Sequence, residues 1–142
     1  VFPDGPLCGC GTRGCLEALT SSAAISSLAG TESPEDAYKL AMSGDHRALD
    51  AFAQVGRWLG IGLANVNAVF SPSIFIVGGG VAKAGDLLLN FIREELHNRN
   101  NLWPNSNFEV VPAQLSFFAG ATGAALKAAA VAGTQFNFTS IT

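Results

Sequence analysis

The sequence predicts an α/β domain, and three features of its 142 residues support that prediction. Apolar residues recur at spacings of three and four over residues 46–69, which indicates a long helix with one buried face. Two short runs, residues 74–77 and 108–111, are rich in β-branched and aromatic side chains and predict strands. Helical patterns lie before and after these strands, an alternation typical of α/β organisation.

Composition limits the functions open to the chain. Apolar residues make up 49% of it and charged residues 13%, so it can bury a core and is not expected to be disordered. A net charge of −3 disfavours nucleic-acid binding through this segment, because such domains usually carry a basic face. No apolar run approaches the roughly 18 residues of a membrane span, so a membrane is not an expected partner.

Start and stop signals place two helices in the first third of the chain. A short apolar face spans residues 16–28, and Gly30 is a natural stop after it. Ser33 can cap the next helix, since proline follows at the first helical position and two acids complete the first turn. This second helix is expected to end near Ser43.

The long helix over residues 46–69 contains three glycines, Gly56, Gly60 and Gly62. Each costs a helix about 1 kcal/mol relative to alanine, so we expect the close approach of another backbone in compensation. The buried stripe of this helix is expected to comprise Ala48, Phe52, Val55, Leu59, Leu63 and Val66.

The strand at residues 74–77 is apolar throughout, which predicts burial on both faces, as in a parallel or mixed sheet. Gly78, Gly79 and Gly80 end it. The remaining expected elements are a helix over residues 85–97, a strand over 108–111, a helix over 120–131 and an aperiodic tail over 133–142. Two strands are few for a complete sheet, so further strands are expected in sequence that precedes Val1.

Three cysteines, Cys8, Cys10 and Cys15, lie within eight residues. Thiolates at this spacing, separated by glycines that let the backbone turn tightly, can surround one tetrahedral ion. Zinc takes four sulfur or nitrogen ligands in a closed structural site, and His46 and His97 fall on predicted helices away from the loop. The alternative is three buried or free cysteines without a metal.

The segment Cys-Gly-Cys-Gly-Thr-Arg-Gly-Cys-Leu-Glu, residues 8–17, resembles the signature of the ROK family of repressors and sugar kinases. The resemblance covers residues 1–131, the second half of a full-length member of glucokinase or fructokinase type. It implies the C-terminal lobe of an actin-like ATPase (ribonuclease H-like) fold, in which a mixed sheet with helices carries a zinc-binding loop. It also implies that Cys8, Cys10 and Cys15 bind structural zinc together with a histidine that precedes Val1.

The same resemblance gives a role to Glu17, which matches the family's sugar-binding glutamate. A carboxylate beside a rigid loop can accept hydrogen bonds from two vicinal hydroxyl groups. The alternative is a favourable acid in the first turn of a helix, worth less than about 1 kcal/mol.

Two glycine-rich turns are similar to the nucleotide side of the family. The run over residues 67–81 resembles its strand and adenosine-side loop, which implies nucleotide binding by Gly78, Gly79 and Gly80. The turn over residues 119–125 resembles the last turn before the C-terminal helix and implies the same for Gly120. A plain strand-to-helix turn and ordinary alanine-rich packing are the alternatives.

The family's phosphate-binding loop and catalytic aspartate lie in the first half of its members, and this sequence has no counterpart. The catalytic Asp is therefore expected upstream of Val1, and the chain by itself is expected to be inactive. ATP and Mg²⁺ are the cofactors implied for the full-length protein. Residues 1–132 are expected to form the lobe, with the zinc and sugar loop over 1–17 and a tail over 133–142.

Three functions stay open at this point. The chain is the C-terminal portion of an ATP-dependent hexose kinase, the sugar-sensing half of a ROK-type transcriptional repressor, or a zinc-stabilised lobe without activity. We favour the kinase because Glu17 is retained. The family resemblance implies a homodimer, and a zinc–thiolate site indicates a reducing, cytoplasmic location.

Overall fold

The computed structural model describes residues 2–100, 108–115 and 118–133, and these residues have the predicted α/β organisation. The elements, in chain order, are α1 (Leu16–Thr20), α2 (Ser22–Ala29), α3 (Pro34–Met42), α4 (His46–Phe70), β1 (Ile74–Val77), a 3₁₀ helix (Gly80–Ala84), α5 (Asp86–Asn98), β2 (Glu109–Pro112) and α6 (Ala119–Val131). The predicted tail, apart from Gly133, lies outside the described residues. Among those described, no helix combines the length and the apolar character that crossing a membrane requires.

Ser21 divides the first predicted helix into α1 and α2, so the prediction of one continuous helix is wrong. Its backbone is extended, with φ −70° and ψ 162°, and its hydroxyl accepts a hydrogen bond from the Ala24 backbone N–H at 3.2 Å. Such an N-cap starts a new helix. Gly30 ends α2 with φ 72°, the left-handed conformation that the predicted stop requires.

The predicted start of α3 is confirmed, and α4 begins on a similar cap. Ser33 accepts a hydrogen bond from the Asp36 N–H at 3.1 Å and donates one to the Asp36 carboxylate at 2.7 Å. That hydroxyl, followed by the Lys39 ammonium, lowers the pKa of Asp36. Asp45 accepts a hydrogen bond from the Ala48 N–H at 2.9 Å. Local hydrogen bonds therefore fix where both helices begin.

Helix α4 is the centre of the core and packs against α1, α2, α3 and α5. Phe52 and Val55 are almost completely buried on its inner face. The predicted stripe is buried or half-buried along its length except at Val66, which is 42% exposed. The largest fully buried side chains contributed by the other helices are Ile25, Leu88, Leu89, Ile92 and Leu96.

Two glycines of α4 allow α5 to approach at short range. A Cβ at Gly56 would lie 2.5 Å from the Phe91 Cβ and 3.3 Å from the Leu88 carbonyl oxygen. A Cβ at Gly60 would lie 2.6 Å from the Glu95 Cβ. The predicted close approach of another backbone is confirmed, and the backbone is that of α5.

Strands β1 and β2 pair in parallel, with Ile74 opposite Glu109. One face of this pair is covered, since Phe75 and Val110 are both buried. On the other face Ile74 is 48% and Ile76 is 66% exposed. The prediction that β1 is buried on both faces is therefore wrong for the described residues, because none of their elements covers that second face.

We expect Gly56→Ala to lower the free energy of unfolding by about 1–3 kcal/mol, because the added methyl would overlap with α5. Denaturant unfolding followed by circular dichroism measures the change. The matched control is Gly123→Ala in α6, where no described atom outside its chain neighbours and its own helix backbone lies within 4 Å of the added Cβ. This control should be neutral or raise stability by up to about 1 kcal/mol, and equal effects of the two changes would contradict the close crossing.

Candidate metal centre and ligand-binding pockets

The cysteine loop is a tight antiparallel turn that precedes α1. A backbone bridge pairs Leu7 with Arg13, and the Cys8 N–H donates to the Thr12 carbonyl at 2.8 Å. The Gly11 N–H donates to the Cys8 carbonyl at 2.9 Å, and Gly11 itself has φ 88°. Glycine adopts this conformation without a Cβ clash, so the turn depends on it.

This turn brings the three predicted metal ligands together. The sulfur atoms of Cys8, Cys10 and Cys15 all lie within 4.8 Å of one another, and Cys10 Sγ is 3.5 Å from Cys15 Sγ. Tetrahedral zinc with bonds of about 2.3 Å to sulfur spaces its ligands about 3.8 Å apart. The donor set therefore fits three of the four ligands of a zinc ion, while the ion itself stays a prediction. His46 and His97 are exposed and do not belong to this group.

Thr12 is a residue of this site that the sequence analysis missed. Its hydroxyl is 3.0 Å from Cys10 Sγ and 2.9 Å from Cys15 Sγ. The hydroxyl, followed by the Thr12 backbone, lowers the pKa of the Cys10 thiol to about 7. No periodicity or spacing distinguishes this threonine in the sequence, because its role depends on where the turn places its hydroxyl.

The thiol of Cys8 has a different environment. A backbone hydrogen bond from Cys10 favours its thiolate, but the Cys10 side chain, burial and Cys15 act in the opposite direction. The net result is a pKa above the ordinary value for cysteine. The pKa values of these two predicted ligands are therefore shifted in opposite directions, upward for Cys8 and downward for Cys10.

Glu17 lies in the first turn of α1, next to the cysteine loop. The Cys8 thiol donates to Glu17 Oε2 at 3.7 Å, and the Glu17 side chain is exposed. Helix α4 holds α1 in this position, since a Cβ at Gly62 would lie 2.7 Å from Leu16 Cδ2. The structure therefore brings the predicted sugar-binding carboxylate against the predicted metal loop.

A pocket of about 610 Å³ opens beside this carboxylate, between the loop, α1, α2 and α4. Polar groups of Glu17, Ser27 and Gln54 contribute to its lining. Trp58 also lines it and packs against Phe2, with ring centroids 5.4 Å apart and the ring planes tilted by 35°. Acceptors and donors next to aromatic rings suit a small, hydroxyl-rich ligand.

The predicted nucleotide loop, Gly78, Gly79 and Gly80, follows β1 directly. Gly79 has φ 84° and ψ −168°, a conformation that residues with a Cβ rarely adopt. A Cβ at Gly80 would lie 2.9 Å from Ser22 Oγ, so this turn packs closely on α2. Backbone conformation therefore favours glycine at position 79, and packing against Ser22 favours it at position 80.

Gly80 also lines a second pocket, of about 410 Å³, between α2, α3, α4 and the 3₁₀ helix. Tyr38 and Phe52 supply apolar surface, and charged residues of both signs, Glu35, Lys39 and Lys83, also line the pocket. Its apolar surface can pack against a flat ring.

Gly120 is not brought to this second pocket. It lies in the first turn of α6, none of whose residues is buried, and the described lining comes from other elements. Its predicted nucleotide-side role therefore stays a prediction.

Comparison with known proteins identifies the class that this loop and fold define. A sequence model of the ROK family matches residues 1–130. The chain belongs to the ROK family, which confirms the resemblance first found in residues 8–17.

Its relatives include both enzymes and regulators. The chain is 36% identical to a glucokinase of Streptomyces coelicolor, over 88% of this chain and 47% of that protein. It is 32% identical to a xylose repressor of Bacillus spizizenii, over 84% of this chain and 32% of that protein. The chain thus spans about half the length of the glucokinase and about a third of the repressor.

The fold is similar to that of a ROK family glucokinase from Streptomyces griseus solved in complex with glucose and AMPPNP. The TM-score is 0.78 at 34% identity, covering 89% of this chain and 48% of that one.

After metal has been removed by chelation, we expect the alkylation rate of Cys10 by iodoacetamide to reach half its plateau near pH 7. The pKa is lowered, so the reactive thiolate is present above this pH and is lost below it. In Thr12→Val the hydroxyl is gone, and the midpoint should move toward about 8.5, the value of an ordinary cysteine. Tandem mass spectrometry separates the three cysteines, and identical midpoints in the two proteins would contradict the role of Thr12.

Proposed function

We propose that residues 1–132 are the C-terminal lobe of an ATP-dependent hexose kinase with an actin-like ATPase (ribonuclease H-like) fold, followed by a tail over residues 133–142. The observation that carries this proposal is the contact between metal loop and carboxylate, in which Cys8 Sγ is 3.7 Å from Glu17 Oε2. Similarity to a glucokinase solved with glucose and AMPPNP supports it.

In this proposal Cys8, Cys10 and Cys15 hold a structural zinc ion, with a histidine that precedes Val1 as the fourth ligand. Zinc, when bound, would link the three cysteines of the loop and so fix the shape of the loop. The loop's own backbone hydrogen bonds preform the turn, and the Thr12 hydroxyl can donate to one of the two sulfurs beside it. The metal therefore stabilises an arrangement that the chain already favours.

Glu17 is the proposed sugar-binding residue. A metal-bound Cys8 is a thiolate and has no proton to donate, so both Glu17 oxygens are then available to sugar hydroxyl groups. The adjoining pocket adds the polar groups of Ser27 and Gln54 and the ring of Trp58. We infer that the sugar is bound from this side of the lobe.

ATP is the proposed ligand of the glycine turn. Gly78, Gly79 and Gly80 let a nucleotide approach the backbone, and the apolar pocket beside Gly80 suits an adenine ring. We assign Gly120 to the same side from the family resemblance. The catalytic base, which takes a proton from the sugar hydroxyl, is proposed to lie in the other lobe with the Mg²⁺-binding groups. This chain alone would then bind sugar and ATP but would not transfer phosphate.

A second candidate is the sugar-sensing half of a transcriptional repressor, favoured by the 32% identity to a xylose repressor. The same loop and Glu17 would then bind sugar as an effector, and an N-terminal helix-turn-helix outside this segment would contact DNA. We rank the kinase first because the glucokinase match is higher, at 36%. For either function we propose a cytoplasmic homodimer.

We expect the chain to retain about one zinc ion after purification, as measured by elemental analysis. Cys15→Ser removes one of three thiolates, so it should lower both the zinc content and the midpoint of thermal unfolding. Leu7→Ala is the matched control, because it changes a 65% exposed side chain of the same loop and keeps every sulfur and the Thr12 hydroxyl. Absence of zinc from the unmodified chain, or equal zinc in Cys15→Ser, would overturn the metal assignment.

The kinase proposal predicts that the whole protein carrying this lobe forms ADP with at least one hexose in a coupled assay. Glu17→Gln should raise the KM for that hexose about 10-fold or more, because a hydrogen bond to a charged group contributes about 1.5–3 kcal/mol. The KM for ATP should not change. Glu32→Gln, at another exposed glutamate, is the matched control and should leave both constants unchanged.

No turnover with any hexose, combined with sugar-dependent release of DNA, would reject the kinase in favour of the repressor. Upstream sequence gives a further discriminator. An Asp-x-Gly phosphate loop near the start favours the kinase, whereas a DNA-binding helix pair favours the repressor.

A further inference from the structure

Two thiols of the cysteine loop are close enough to join to each other. Cys10 Sγ and Cys15 Sγ are 3.5 Å apart, so they need to approach by only about 1.5 Å to reach the roughly 2.05 Å of a disulfide bond. Gly11, which follows Cys10, has positive φ, and no described atom apart from its chain neighbours lies within 4 Å of a Cβ built there. Gly14 is held on the other side, since a Cβ there would lie 1.5 Å from the Phe2 carbonyl oxygen. The Cys10 end of the turn therefore has room for such an adjustment.

The third thiol is separated from this pair by burial and by its hydrogen bond. Cys10 is exposed and Cys15 is half-buried, whereas Cys8 is only 5% exposed. The Cys8 thiol also donates a hydrogen bond to Glu17 Oε2 at 3.7 Å. A bond between Cys8 and Cys10 would have to close across a single residue. Access and geometry thus both select the Cys10–Cys15 pair.

We propose that Cys10 and Cys15 form an oxidation site at which a peroxide joins them in a disulfide, so that the loop loses two of its three sulfur ligands and releases its metal. This inference goes beyond the proposed kinase function. Its metal-release part rests on the proposed zinc site, whereas disulfide formation does not.

The chemistry balances with hydrogen peroxide as the oxidant. The Cys10 sulfur attacks one peroxide oxygen, the O–O bond breaks, and Cys10 becomes a sulfenic acid as one water leaves. The Cys15 sulfur then attacks the Cys10 sulfur, the S–S bond forms and a second water leaves. Two thiols lose two electrons and two protons in total, and the peroxide accepts both. When the sulfurs start as metal-bound thiolates, solvent supplies the two protons.

The direct test treats the metal-free full chain with equimolar hydrogen peroxide. We expect free thiols to fall from three to one per chain, with a Cys10–Cys15 crosslink in the peptide map and an unchanged circular dichroism spectrum. In Cys8→Ser the same crosslink should form. In Cys15→Ser no disulfide should form within the chain, and Cys10 should accumulate as sulfenic or sulfinic acid. Three unreacted thiols, or crosslinks through Cys8 or between chains, would overturn the proposal.

A second measurement tests the consequence for the metal. The zinc-loaded chain is treated with peroxide in the presence of a chromogenic zinc indicator, and zinc release should parallel disulfide formation. Dithiothreitol with added zinc should restore the loaded chain. Zinc that stays bound while the disulfide forms would overturn the release step. A chain that never binds zinc would instead refute the proposed metal centre, and the metal-free experiment would still decide the oxidation site.

Discussion

The crossing of α4 over α5 is the steric constraint on which the rest of the structure depends. Gly56 and Gly60 remove the side chains that would hold the two helices apart. Further along the same helix, Gly62 contacts Leu16, which directly follows the third cysteine of the cysteine loop. Helix α4 then leads into β1 and its glycine turn, which packs on Ser22. One helix thus sets the positions of both the cysteine loop and the glycine turn.

The features that could be predicted from sequence are those fixed by local interactions. The cysteine loop is closed by hydrogen bonds between residues only a few positions apart, so the spacing of cysteines and glycines already specifies it. The start of α3 at Ser33 follows from a hydroxyl that reaches a backbone N–H three residues later. The contact of Glu17 with the loop is also local, because nine positions separate it from Cys8.

The features that sequence did not reveal depend on tertiary surroundings or on ambiguous residues. Ser21 fits a helical surface as well as a cap, so periodicity alone predicts one helix where there are two. The apolar run of β1 does not specify what covers each face, and Ile76 is exposed. Thr12 carries no signal, since its role arises only when the turn brings Cys10 and Cys15 to either side of its hydroxyl.

In the proposed function, the metal-bound cysteine loop and the Glu17 carboxylate act as one unit. X-ray absorption at the zinc edge, on the chain loaded with one equivalent of zinc, tests this proposal most directly. We expect at least three sulfur ligands at about 2.3 Å. A spectrum that fits only nitrogen and oxygen ligands would contradict it.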